Sequence, residues 1–256
     1  MEIRELRSFE DLKTVESLQR IVWGAADIDI LAPLSLRAAV EAGNLLLGVF
    51  DGSTMAGFTY GFLGYLHGQV ELHSDMTGLL PRYRDRGLGY RLKLAQRDWA
   101  LERGIRLVTW TFDPLRSRNA YFNFHKLGAS SDSYRVNFYG VDSTSFLHRN
   151  STDRLWVTWD LESKRVRERL EGKMPPAIEA PAIVSVGADT EPVCSSLEPG
   201  VPQAMIKVPL DPDAIEQQSL DLAARWRTAT RAAFLEWTRA GYSIVDAQNG
   251  KYLLER

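Results

Sequence analysis

A chain of 256 residues, 45% hydrophobic and 25% charged with a formal charge of -2, is long enough for one large domain or two small ones. The near balance of charge argues against nucleic acid as the main partner, and no apolar run reaches membrane-spanning length. Cys194 is the single cysteine and the opening Met1-Glu2-Ile3-Arg4-Glu5 has no apolar signal core, so a reducing, cytoplasmic setting is expected. Cys194 lies in a proline-rich stretch without basic neighbours and reads as inert. The four histidines, His67, His73, His125 and His148, show no ligand spacing, so no metal is expected.

Residues 3–7 alternate apolar and polar and predict a first strand. Residues 9–23 carry Leu12, Val15, Leu18, Ile21 and Val22 at helical spacing. A loop over 24–33 holds Asp27 and Asp29, carboxylates that suit either an approaching amine or plain solvation, and 34–43 reads as a short helix. Residues 44–50 and 56–66 are apolar strands around the turn Asp51-Gly52-Ser53. A third strand over 70–80 completes an antiparallel meander, and strict alternation would put Glu71, His73, Asp75 and Thr77 on one face. The next helix stops at Gly104 and places Leu88, Leu92, Ala95 and Trp99 along one stripe. Residues 106–112 are a buried strand, parallel to 70–80 through a right-handed crossover.

Strand and helix are joined by Leu79-Leu80-Pro81-Arg82-Tyr83-Arg84-Asp85-Arg86-Gly87-Leu88-Gly89-Tyr90. A helix start offers unpaired N–H donors and the positive end of the macrodipole, and glycine lets backbone approach a bulky diphosphate. The dinucleotide fingerprint fails because position 92 is leucine, and the nucleotide P-loop fails because Tyr90-Arg91 is not Lys-Ser/Thr. Arg84, Gly87 and Gly89 fit Arg-x-x-Gly-x-Gly after Leu-x-Pro, which resembles the coenzyme A loop of the GNAT-type acyl-CoA N-acyltransferase superfamily.

The resemblance implies an α/β fold: a mostly antiparallel sheet, a splayed parallel strand pair and flanking helices. It implies that Leu79, Leu80, Arg84, Asp85, Arg86, Gly87, Leu88, Gly89 and Tyr90 hold acetyl-CoA or another acyl-CoA, with the Leu79 N–H as oxyanion donor. His73 matches the position of a catalytic glutamate in some members, and Asp75 is the alternative base. The family's second signature, Asn-x-x-Ala-x-x-x-Tyr-x-x-x-Gly, is met in part by Ala120 and Gly128. Ser117 takes the asparagine position, with Asn119 nearby, and both are assigned to cofactor binding. Phe124 replaces the tyrosine that protonates the departing thiolate, and Tyr121 is the candidate substitute.

His73-Ser74-Asp75-Met76, Trp110-Thr-Phe-Asp-Pro114 and Asn119-Ala-Tyr-Phe-Asn123 resemble a bacterial branch with a C-terminal extension, linked to N-acylated amino acids. An amine or amino-acid acceptor and an acetyl or succinyl donor follow. The rivals are a non-catalytic acyl-CoA sensor and a protein acetyltransferase.

Beyond 117–127, a helix stopped at Gly128, strands are expected over 133–139 and 154–161 and a helix over 162–171. The acyl-CoA domain is expected over 1–162, a proline-rich connection with one short strand at 182–186 over 163–203, and a C-terminal β-helix-β extension over 204–256. Asp213 and Glu216 suggest a capping box on one long helix ending at Gly241. Its stripe of Leu222, Trp226, Ala229, Ala233 and Trp237 suits core or a homodimer contact, and Asn249-Gly250 closes a hairpin.

Overall fold

Ser8 accepts a hydrogen bond from the Asp11 N–H at 3.1 Å and so caps helix α1 (Phe9–Trp23), which Gly24 ends at a φ of 58°. The computed structural model describes residues 1–256 except 25, 67 and 141–149. His67 and His148 therefore lie outside the described residues. Packing divides the chain into two compact units, Met1–Trp110 and, among the described residues, 111–140 with 150–256. The sequence suggests divisions near 162 and 203 instead.

In the first unit, β1 (Glu2–Glu5), β2 (Leu45–Asp51), β3 (Thr54–Leu66) and β4 (Gln69–Leu79) form the antiparallel meander. Strand β5 (Leu107–Phe112) joins parallel to β4 after the crossover helix α3 (Leu88–Leu101). Leu12, Val15 and Leu18 of α1 bury their stripe with Leu36 of α2 (Pro33–Glu41) and Phe58 of β3. Burying such side chains stabilises the unit by about 2 kcal/mol apiece.

In the second unit, α4 (Ser117–Ala120) runs into a π-helical turn, Tyr121–Lys126, where a plain helix is expected. The strands β6 (Ser130–Arg135), β7 (Arg154–Asp160), β8 (Ala182–Val186), β9 (Pro192–Cys194), β10 (Gln203–Lys207), β11 (Ser243–Gln248) and β12 (Lys251–Glu255) lie in the order β7-β6-β11-β12-β10-β8-β9. Only β8 and β10 pair in parallel among these. The proline-rich stretch is built into this sheet through β8 and β9, beyond the single strand expected, and α5 (Lys164–Leu170) precedes it.

The tail helix is broken in two. Asp211, not Asp213, caps α6 (Pro212–Gln218) by accepting the Ala214 N–H at 3.0 Å. Ser219 then ends α6 and caps α7 (Leu220–Arg239) through the Leu222 N–H at 3.2 Å. Trp226 and Trp237 are fully buried within the unit, which makes the stripe core. The β11–β12 hairpin turns through Asn249 and Gly250, both at positive φ.

Candidate active site

The corner between β4 and α3 is a single 3-10 turn, Pro81–Tyr83, then an open bend. Tyr83 anchors it: the ring is buried and the hydroxyl donates to Asp51 at 3.1 Å. Arg82 and Arg86 flank that ring at 5.0 and 5.5 Å, and Arg84 Nε reaches back to the Leu79 carbonyl at 3.3 Å. Arg84, Asp85, Arg86 and Gly87 are exposed, Leu88 is buried, and Leu79, Leu80, Gly89 and Tyr90 are half-buried. The Leu80 N–H is taken by the Ala56 carbonyl at 2.9 Å. No ion pair neutralises Arg82, Arg84 or Arg86 among the described residues.

The two glycines differ in what they do. Gly87 caps α3 from the left-handed region at φ 73°, where a side chain is strained, and supplies no capping oxygen. Gly89 sits in the first helical turn with an ordinary backbone. A Cβ there would touch only Leu79 Cδ1 at 3.9 Å, an ordinary contact. Glycine costs a helix on the order of 1 kcal/mol against alanine, and no contact of this unit requires it at 89. Its open face borders the N–H groups at the helix start.

Strand β4 does not alternate strictly. Phe62 faces His73 and Tyr60 faces Met76, so Ser74 and Asp75 together oppose Gly61 as a β-bulge. The extra residue flips the later positions: Thr77 lies on the face opposite Glu71 and His73, where it bonds Thr59 at 2.9 Å. Gly61 makes room for the bulge, since a Cβ would lie 2.9 Å from the His73 carbonyl. Asp75 is exposed by area, yet desolvation by the protein packed around it raises its carboxyl above the usual range.

His73 is buried, with Nδ1 2.9 Å from Thr109 Oγ1, and that hydroxyl donates to Glu71 Oε1 at 3.2 Å. Burial, with the Lys93 charge second, lowers the His73 pKa to about 4. The ring is therefore neutral at physiological pH and a weak proton acceptor.

Sequence reasoning missed Lys93. It lies on the buried side of α3 with its ammonium 2.8 Å from Ser74 Oγ and 3.0 Å from Gln96 Oε1, 4.0 Å from the Trp110 ring centroid. Desolvation lowers its pKa to about 7. Lysine at 93 and glutamine at 96 look like surface residues on a basic helix, and only the strand above them reveals their burial.

The second unit holds the remaining predicted residues. Ser117 is buried and its hydroxyl donates to the Leu210 carbonyl at 2.8 Å, while Asn119 is exposed. Phe124 is fully buried between Phe112 and Tyr252, at 5.8 and 5.9 Å between centroids. Tyr121 is 39% exposed and stacks on His125 at 4.9 Å, so the π-helical turn commits its ring to that neighbour. His125 in turn contacts Asp246 at 3.0 Å.

No known family pattern matches the chain, and no curated protein does. Solved structures do resemble it. A putative acetyltransferase of Salmonella typhimurium, yncA, seen with its cofactor acetyl-CoA, is 16% identical, covering 64% of this chain and 95% of that one at a TM-score of 0.49. Aminoglycoside 6'-acetyltransferase type Ii is 16% identical over 64% of this chain and 99% of its own, also at 0.49. A putative acetyltransferase of the GNAT family from Desulfovibrio desulfuricans is 15% identical over 62% and 98%, at 0.46. All three are acetyltransferases by name, one of them of the GNAT family. The corner, the bulge and Lys93 all belong to the first unit. Among the described residues, no cluster of three or more metal-binding side chains forms and no helix is long and apolar enough to cross a membrane.

Proposed function

We propose that this chain is an acyl-CoA-dependent N-acyltransferase. It moves an acetyl or succinyl group from the thioester directly to the amine of a small molecule, with amino acids the leading acceptor class. The observation that carries this is Gly89: a glycine in a helical turn whose Cβ space is open, at a helix N-terminus that follows Arg82, Arg84 and Arg86, for which no ion pair to a carboxylate occurs among the described residues. A diphosphate fits that chemistry, since main-chain donors and guanidinium forks both favour it. Gly87 and Gly89 would let the backbone close on it, while Arg84 and Arg86 would neutralise it.

The thioester would then lie along the gap beyond the β4–β5 pairing. There the Leu79 N–H is assigned to the oxyanion, worth on the order of 3 kcal/mol in the barrier. With His73 so weakly basic, Asp75, exposed and with its pKa raised, is the better of the two predicted bases for the acceptor ammonium. Ser117 spends its hydroxyl on Leu210, so its place in cofactor binding is limited to its backbone. The sensor reading draws on Phe124, a buried ring where a proton donor is expected.

Mass spectrometry of an amine and amino-acid panel incubated with acetyl-CoA and succinyl-CoA separates the two. An acylated product establishes transfer, whereas bound coenzyme A with no product under any pairing establishes the sensor.

A further inference from the structure

Strands β4 and β5 pair only through Leu72–Val108 and His73–Thr109 among the described residues. The next residue along each strand, Ser74 and Trp110, marks the fork where they part. Lys93 touches both: Nζ donates to Ser74 Oγ at 2.8 Å and lies 4.0 Å from the Trp110 ring centroid. Its remaining contact is Gln96 Oε1 at 3.0 Å on its own helix, and the residue is 5% exposed. No carboxylate pairs with it among the described residues, and no nearby charge offsets its desolvation. An isolated buried ammonium destabilises a fold, and an apolar residue of similar length would occupy the space at lower cost. The charge thus points to the fork rather than to the packing.

We propose that Lys93 is the proton donor to the departing thiolate, the place the buried Phe124 ring leaves without a proton. The inference rests on the acyltransferase reading. The neutral acceptor amine attacks the thioester carbonyl carbon and forms the C–N bond. The tetrahedral species collapses, the C–S bond breaks, and its electron pair goes to sulfur. The Lys93 ammonium gives its proton to that sulfur, producing the thiol. The neutral lysine then takes the proton that the acylated nitrogen must lose, so amine plus thioester become amide plus thiol with Lys93 unchanged. A donor whose pKa lies near 7 suits both transfers at neutral pH.

Ser74 of β4 faces Lys93, with Asp75 beside it at the bulge, while His73, which feels the Lys93 charge, sits with Glu71 and Thr109 on the opposite face of the strands. Trp110 faces it from β5 and Gln96 from α3. Tyr60 of β3 feels the charge of Asp75.

The test uses the full chain. Thiol release from acetyl-CoA is followed with water and with any amine the wild type acylates, and coenzyme A affinity is measured by calorimetry. Lys93→Met is expected to lower kcat by about 100-fold or more while KM for acetyl-CoA and coenzyme A affinity stay within about threefold. Lys93→Arg keeps a charge but gives up no proton, so it is expected to match Lys93→Met in rate. The wild-type rate should fall as pH rises through about 7, a limb absent from Lys93→Met. Thioesters of more acidic thiols should recover much of the lost rate in both variants. A kcat within threefold of wild type in either variant overturns the proposal, as does an affinity loss equal to the rate loss. A wild type that binds coenzyme A and releases no thiol instead defeats the transferase reading beneath it.

Discussion

Gly87 and Gly89 open the same helix yet answer to different constraints, and substitution separates them. Gly87 holds φ at 73°, so Gly87→Val should cost roughly 1–2 kcal/mol of stability and weaken coenzyme A binding together. Gly89 holds an ordinary helical backbone with open space, so Gly89→Val should weaken binding at least tenfold with the unfolding midpoint nearly unchanged. Calorimetry beside denaturant unfolding reads both quantities. Lys93 gives a second test at this scale. Its pKa falls from 10.5 unfolded to about 7 folded, so the unfolded chain binds more protons between those values and stability rises with pH across that window. Its cost is fully present below pH 7 and fades toward pH 10.5. Lys93→Met should therefore unfold later than wild type at pH 6, by about 2 kcal/mol after the lost Ser74 and Gln96 bonds are allowed for. That gap should close by pH 10, as parallel urea titrations would show.

At the scale of elements, the sequence carried the meander, the crossover and the corner because each leaves a periodic or turn signature. Phe9–Trp23 ends where its spacing and Gly24 say it should, and Asp51-Gly52-Ser53 turns β2 into β3. The β4 bulge left no such mark: one extra residue at Ser74–Asp75 reverses the face of everything after it, and only the pairing with Gly61 reveals it. The same holds for the π-helical turn, whose aromatic run reads as plain helix. Position 219 shows the converse, a capping serine just before the apolar stripe, where the sequence reads as one continuous helix. Ser219→Ala should cost about 1 kcal/mol by releasing the Leu222 N–H, measurable by thermal unfolding. Gly61→Ala should destabilise as well, because the His73 carbonyl 2.9 Å away is backbone and shifts only with the bulge.

Over the whole molecule, the net charge of -2 conceals a corner of the first unit where Arg82, Arg84 and Arg86 cluster. Coenzyme A affinity should accordingly fall as sodium chloride rises from 50 to 300 mM, while Lys93→Met leaves that salt dependence in place. Strands β8 and β9 of the proline-rich stretch extend the sheet that β10, β11 and β12 of the tail build, which a reading that takes prolines as linker does not see.

The most direct measurement is a titration of acetyl-CoA into isotope-labelled protein, followed at the backbone amides. The account predicts saturable shifts largest at residues 86–90, removed by Gly89→Val. Saturation with those amides unmoved would contradict it.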